Sequence, residues 1–149
     1  MILTVPDGYG YVVLACGVLP NIISMVMGGP VMTARKKYKV DYPNLYAVPG
    51  FHKEADTFNR VQRGHQNYLE GLAGYTTMSL LGGLQHPLTV ALGGIFFSFG
   101  SVLYQIGYSD VSLDVKMARH KKGGPIKWIG FFSSLICCVK FGGSLNGWW

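Results

Sequence analysis

Four side chains of the kind that bind small charged ligands recur in the middle of the chain. Arg60, Arg63, Asn67 and Glu70 stand at offsets of three, seven and ten residues, so a helix places them on one face. The sequence then continues directly into the apolar segment 71–84, which carries Glu70 towards the depth of a membrane. Charged groups at that depth are costly and mark functional sites. The pattern predicts a site for a small zwitterionic ligand with several carboxylates and amines.

The same spacing has a plainer interpretation, which is an amphipathic helix whose arginines extend their charged ends to lipid headgroups. Spacing alone does not separate the two interpretations. For Arg60 we expect the plainer role, at the boundary of the helix or on a lipid headgroup.

The composition is that of a membrane protein. Of the 149 residues, 49% are hydrophobic and only 13% are charged, whereas soluble domains carry about 25% charged residues. The three cysteines lie in apolar runs, so we expect them to be free and predict no metal site. The length predicts a single domain, residues 1–149.

Four helices are predicted to position the charged face. A bilayer is spanned by about 20 apolar residues, and candidate spans cover about 9–33, 56–85, 88–109 and 126–148. Pro20 and Pro30 are expected to kink or locally break the first span, with Asn21 able to donate to a freed carbonyl. The predicted fold is therefore an all-α integral membrane protein, a four-transmembrane-helix bundle.

A glycine stripe runs along the third span. Gly93, Gly100 and Gly107 recur every seven residues, so they share one face of the helix. Small residues on one face let a neighbouring helix approach closely. We expect this stripe to be a packing surface.

The positive charge is concentrated in two loop regions. Seven Lys or Arg residues lie between Arg35 and Arg63 and five between Lys116 and Lys127, twelve of the thirteen in the chain. With four spans these two regions share one side of the membrane, and the positive-inside rule places that side in the cytosol. Because the charges are confined to short loops beside membrane helices, we predict contact with membrane lipids and no nucleic-acid binding.

Three motifs resemble the MAPEG family, the membrane-associated proteins in eicosanoid and glutathione metabolism. They are Ala34–Val40, which reads ARKKYKV and precedes Asp-Tyr-Pro; Phe58–Glu70; and the tyrosine motif Leu103–Tyr108. The resemblance covers nearly the whole chain. It implies a homotrimer of four-helix bundles that holds glutathione between subunits near the cytosolic face. It also implies conjugation of glutathione to lipophilic electrophiles, or reduction of lipid hydroperoxides by glutathione. The implied location is the endoplasmic reticulum, with the mitochondrial outer membrane or another organelle membrane as alternatives.

The resemblance also assigns residues. Those matching glutathione-binding positions are Arg35, Arg63, His65, Asn67, Glu70, Tyr104 and Tyr108. His65 lies about 200° round the helix from Arg63, so its contact would be to the ligand of a neighbouring subunit. The catalytic candidates are Arg119, Lys116 and Tyr104.

These residue types suit the chemistry of a thiol. A free thiol has a pKa near 8.5, and the nucleophile is its thiolate, which a nearby guanidinium favours. Arginines also hold carboxylates in bidentate fashion, and Glu70 suits the ammonium group of the peptide. A tyrosine hydroxyl can donate to the sulphur.

One departure from the family pattern leaves a second function open. Relatives often have arginine where Ser101 stands, so the activating cation must come from the loop after the third helix. There we favour Arg119 over Lys116, because arginine keeps its charge in a partly dry site. The alternative is a catalytically silent accessory subunit that assembles with unrelated chains of a larger membrane complex.

Overall fold

The computed structural model describes residues 5–148, and every regular element in that range is helical. The four long helices are α1 (Tyr9–Tyr38), α2 (Ala55–Gly82), α3 (Pro87–Ser109) and α4 (Ile126–Leu145). One further helical turn, Val115–Ala118, lies in the connection between α3 and α4. The prediction of an all-α fold is confirmed.

Within the described residues, three helices are long and apolar enough to cross a membrane, namely α1, α3 and α4. The remaining helix, α2, has a polar first half but is tied into the bundle near both ends. The hydroxyl of Tyr9 donates to the carbonyl of Leu80 at 2.9 Å, and Arg60 donates to the carbonyl of Tyr108 at 2.9 Å. These contacts make α2 antiparallel to α1 and place the two long loops at the same end of the bundle.

The break expected near Pro20 takes the form of a π-helical segment, Val13–Val18, and the helix continues through it. Pro20 has no N–H to donate, and the carbonyl of Cys16, one turn earlier, accepts from Thr76 Oγ1 at 3.5 Å. Asn21 Nδ2 donates to the carbonyl of Gly17 at 2.7 Å, so the amide bonds to a backbone carbonyl of this segment, although not to the Cys16 carbonyl that Pro20 leaves without a donor.

α1 extends to Tyr38, five residues beyond the expected end at residue 33, and Pro30 lies inside it without ending it. The basic residues Arg35, Lys36 and Lys37 occupy its last turn. Cations are favourable there because the carbonyl end of a helix carries partial negative charge. Hydropathy therefore marks where the apolar part of α1 ends and not where the helix ends.

The glycine stripe of α3 is a packing surface, as predicted. A Cβ at Gly93 would overlap the hydroxyl of Ser133, and a Cβ at Gly100 would overlap the backbone nitrogen of Lys127. α3 and α4 therefore approach almost backbone to backbone, and this close packing sets where Lys127 lies. In the core, the rings of Tyr75 and Phe97 stack with centroids 3.6 Å apart.

Candidate functional site

An exposed ion pair marks the outer part of the charged face on α2. Arg63 Nη1 lies 2.6 Å from Glu70 Oε1, and the two side chains are 42% and 46% exposed. Tyr46, from the loop between α1 and α2, lies close to the same guanidinium. Exposed ion pairs contribute only about 0–1 kcal/mol to stability. Breaking the Arg63–Glu70 pair so that each side chain can bind a ligand would therefore cost little free energy.

Arg60, one turn earlier, has a different environment. It is 5% exposed, and it donates from Nε to the carbonyl of Tyr108 at 2.9 Å and from Nη2 to that of Leu113 at 3.0 Å. The carbonyls at the end of a helix lack partners within the helix, and Arg60 donates to one of them, that of Tyr108 in α3, and to one in the loop that follows, that of Leu113. The expected contact of Arg60 with lipid headgroups is wrong, because its guanidinium is buried in the bundle and bonded to these two backbone carbonyls.

Lys127, which the sequence analysis did not select, lies beside the inner part of this face. Its Nζ donates to Asn67 Oδ1 at 2.8 Å and stands 4.0 Å from the centroid of the Tyr104 ring. The residue is only 8% exposed. A signal for it exists in the sequence, since a lone ionisable residue within an apolar span is by default a candidate functional residue.

A pocket of about 270 Å³ opens beside Lys127, between α2, α3 and α4. Its lining includes polar side chains and aromatic side chains. The polar ones are Asn67, Glu70, Ser101 and Lys127; the aromatic ones are Tyr68, Phe97, Trp128 and Phe131; Gly71 completes the lining. The pocket thus offers charge at one side and apolar surface at the other.

Tyr104 and Tyr108, one turn apart on α3, stack with centroids 6.0 Å apart. The Arg119 guanidinium, which also donates to His120 Nε2 at 3.2 Å, interacts with the Tyr104 hydroxyl. The charges that act on Tyr104 include those of Arg119 and Arg63. The structure therefore brings Arg119 to this tyrosine.

Lys116, the other candidate for the activating cation, is exposed on the turn Val115–Ala118. Its backbone N–H donates to Asp114 Oδ1 at 2.7 Å, which caps that turn. Of the two loop cations, only Arg119 acts on Tyr104 among the described contacts.

Two of the predicted binding residues point elsewhere in the chain. Arg35 donates from Nη1 to the carbonyls of Val40 and Asn44, at 3.2 and 2.8 Å, and so fastens the first loop. His65 faces α1 at Gly28, and its Nε2 is buried without a hydrogen-bond partner among the described residues. Neither residue joins the face formed by Arg63 and Glu70 within one chain.

The second loop has its own ion pair. Lys122 Nζ donates to Asp110 Oδ2, and the hydroxyl of Ser112 donates to Asp110 Oδ1 at 2.6 Å. The Lys122 ammonium, followed by this hydroxyl, holds the pKa of the Asp110 carboxyl well below its usual range. Asp110 directly follows α3, so the pair fixes where the loop that carries Arg119 begins.

The outward face of α2 differs from those of the other helices. Beside the exposed Leu69 and Leu81 it presents Glu70, Gly71, Gly74 and Thr77, and open space lies beside both glycines. The other helices expose large apolar side chains, such as Met25 (80%), Ile95 (52%) and Ile129 (57%). The outward surfaces of α1, α3 and α4 are therefore suited to contact with lipid, whereas the outward surface of α2 is suited to close contact with another helix.

The model of the MAPEG family matches residues 13–143 of this chain. The match includes all of α2 and α3, the loop that carries Arg119, and Lys127 on α4.

Proposed function

The chain belongs to the MAPEG family, and we propose that it is a membrane-bound glutathione transferase or peroxidase. It would act on lipophilic electrophiles or lipid hydroperoxides. Within the family, we propose that the chain resembles microsomal glutathione transferase 3. The observation that supports the proposal best is the pairing of Arg63 with Glu70 beside a pocket that also holds Lys127.

The charges of this face match those of glutathione, which carries two carboxylates, one ammonium group and one thiol. Arg63 would take a carboxylate and Glu70 the ammonium group, each giving up the other at little cost because their pair is exposed. The Asn67 amide, on the same face, would bind the peptide backbone. Arg63 is thus a binding residue of the proposed enzyme.

Tyr104 and Arg119 would act on the thiol. The S–H bond breaks, the proton passes to solvent, and the guanidinium and hydroxyl stabilise the thiolate. In conjugation, the thiolate forms a C–S bond and the leaving group or the opened oxygen takes up a proton. In peroxide reduction, the sulphur attacks the outer oxygen, the O–O bond breaks and the lipid alcohol leaves. A second glutathione then displaces water from the sulphenic acid and forms glutathione disulphide.

We further propose the homotrimeric assembly of the family. Support comes from the outward face of α2, whose small residues Gly71 and Gly74 and exposed Glu70 are poorly suited to lipid. In such an assembly Arg35 and His65 would reach the ligand of a neighbouring subunit. The basic loops would face the cytosol, with the endoplasmic reticulum as the proposed membrane.

A catalytically silent accessory subunit is the second candidate. It is favoured by Ser101, which is 2% exposed and donates to the carbonyl of Phe97 at 2.6 Å, so α3 contributes no charge to the pocket here. A silent subunit would keep the binding face and lose thiol activation.

Calorimetry of glutathione binding to the purified protein in detergent tests the proposed site. We expect Arg63→Ala to weaken binding by about 1.5–3 kcal/mol, because it removes hydrogen bonds to a charged group. Lys36→Ala, a change at an exposed cation near the end of α1, is the matched control and should leave the affinity unchanged. No binding to the unmodified protein, or equal losses in both variants, would refute the site.

A further inference from the structure

Lys127 is a buried cation whose described partners are all neutral. Its Nζ is bonded to an amide oxygen of Asn67 and lies against the rings of Tyr104 and Trp128, at 4.0 and 5.0 Å from their centroids. In residues 5–148 the ion-paired carboxylates are those of Glu70 and Asp110, and each pairs with another cation. Taking a cation out of water costs several kcal/mol unless an anion compensates it. The arrangement is therefore suited to an anionic ligand group.

A second cation approaches the same place. The charge of Arg119 acts on Lys127, and Arg119 also interacts with the hydroxyl of Tyr104. Arg119 is exposed, whereas Lys127 is buried against the ring of Tyr104. Two like charges near one tyrosine repel each other, and an anion beside that tyrosine relieves the repulsion.

We propose that Lys127 is a catalytic residue whose ammonium group pairs with the thiolate sulphur of bound glutathione. This inference rests on the proposed function and names a residue of that same site. The S–H bond breaks, the proton passes to solvent, and the ammonium keeps its protons while it stabilises the sulphur anion. Lys127 thereby supplies, from α4, the charge that Ser101 does not supply from α3.

The surroundings of Lys127 favour the sulphur over a carboxylate. The exposed guanidinium of Arg63 already offers a wet place for a carboxylate. The rings that lie against Lys127 are those of Tyr104 and Trp128, and Phe97 and Phe131 complete the aromatic part of the pocket lining. A thiolate is larger and more weakly hydrated than a carboxylate, so it is easier to place in such surroundings. These walls also give the lipophilic electrophile an apolar surface directly beside the nucleophile.

The close packing of α3 on α4 positions this lysine. Gly100 leaves no room for a Cβ beside the backbone nitrogen of Lys127, so the start of α4 lies against α3. The Asn67 amide then fixes the side chain from α2 at 2.8 Å. Three helices thus define the position of one ammonium group.

The test compares Lys127→Gln, which removes the charge but retains a donor for Asn67, with Lys127→Arg, which retains a charge. Lys140→Gln, elsewhere on α4, is the matched control. The ultraviolet absorbance of the thiolate of bound glutathione is titrated against pH in each variant. We expect the midpoint to rise by about one unit or more in Lys127→Gln, which is about tenfold less thiolate near neutral pH. Lys127→Arg should shift it less, and Lys140→Gln should not shift it.

Calorimetry with S-methylglutathione, which has no ionisable thiol, separates sulphur from carboxylate. We expect Lys127→Gln to change its affinity by less than about twofold, since the sulphur of this ligand is neutral. Equal large losses for glutathione and S-methylglutathione would assign Lys127 to a carboxylate and overturn the proposal. An unshifted midpoint in Lys127→Gln would make the lysine structural. If Lys127→Gln does not fold, Lys127→Met is titrated instead. Failure of the proposed function is distinct, because the unmodified protein would then either bind neither ligand or bind glutathione with a midpoint near about 8.5 before any substitution.

Discussion

The second turn of α2 and the turn that follows it carry the same kind of side chain in opposite environments. Arg60 is 5% exposed and bonded to two backbone carbonyls, whereas Arg63 is 42% exposed by its side chain and bonded to Glu70. The two arginines lie three residues apart on one helical face. The difference shows that the spacing of arginines does not by itself separate a structural residue from a binding residue. The element that packs against each arginine determines whether the guanidinium is buried or left open to a ligand.

The end of α3 is that neighbouring element. The carbonyl of Tyr108, in the last turn of α3, lies beside the second turn of α2, where Arg60 meets the negative end of the helix dipole. One turn further along α2, the backbone at Gly64 packs against Gln105 of α3, and Arg63 is exposed and paired with Glu70. The account therefore separates stability, which depends on Arg60, from ligand binding, which depends on Arg63.

The largest expected effect is that of Arg60→Ala on stability. The change leaves the carbonyls of Tyr108 and Leu113 without their donor, at about 1–3 kcal/mol for each buried group. We expect unfolding in detergent to become easier by about 2–5 kcal/mol, measured as the shift in thermal or denaturant unfolding of the ligand-free protein. Stability equal to that of the Lys36→Ala control would show that the buried contacts of Arg60 are not important.

A smaller effect is expected for Arg63→Ala in the same unfolding experiment. Its exposed pair with Glu70 contributes about 0–1 kcal/mol, so stability should change by no more than that. The free energy of glutathione binding, in contrast, should weaken by about 1.5–3 kcal/mol in Arg63→Ala. If Arg63→Ala destabilised the protein as much as Arg60→Ala, the separation of the two roles would be lost.

The smallest expected effect lies in the second loop, at the exposed pair of Asp110 with Lys122. Because the pKa of Asp110 is lowered in the folded protein, its contribution is present above the ordinary value of about 3.9 and is lost as the pH falls through the folded value. Asp110→Asn should speed hydrogen exchange at the N–H of Ser112 by at most about fivefold near neutral pH. Unchanged exchange in Asp110→Asn would show that the pair does not order the loop.

Local patterns in the sequence predicted much of this structure. The face shared by Arg63, Asn67 and Glu70 and the glycine stripe of α3 depend only on helical periodicity, and both are present. The hydrogen bond of Asn21 to Gly17 is equally local, since it joins residues four apart.

Non-local contacts account for what the sequence analysis missed. Arg60 bonds to residues 48 and 53 positions away, and Lys127 bonds to Asn67 across 60 positions. Periodicity along one helix carries no information about which element lies opposite. For that reason the sequence analysis did not select Lys127, which interrupts an apolar span, although the residue lines the pocket at the centre of the site.

The central claim is that this protein activates the thiol of glutathione. The most direct measurement is the ultraviolet titration of glutathione bound to the unmodified protein from about pH 5 to 9. The account predicts a midpoint below about 7.5, as for activated thiols, and a shift towards about 8.5 in Arg119→Ala. Lys116→Ala should leave the midpoint in place, because Arg119 is the loop cation that acts on Tyr104. Bound glutathione that titrates like the free thiol, near 8.5, would contradict the account and favour the silent subunit.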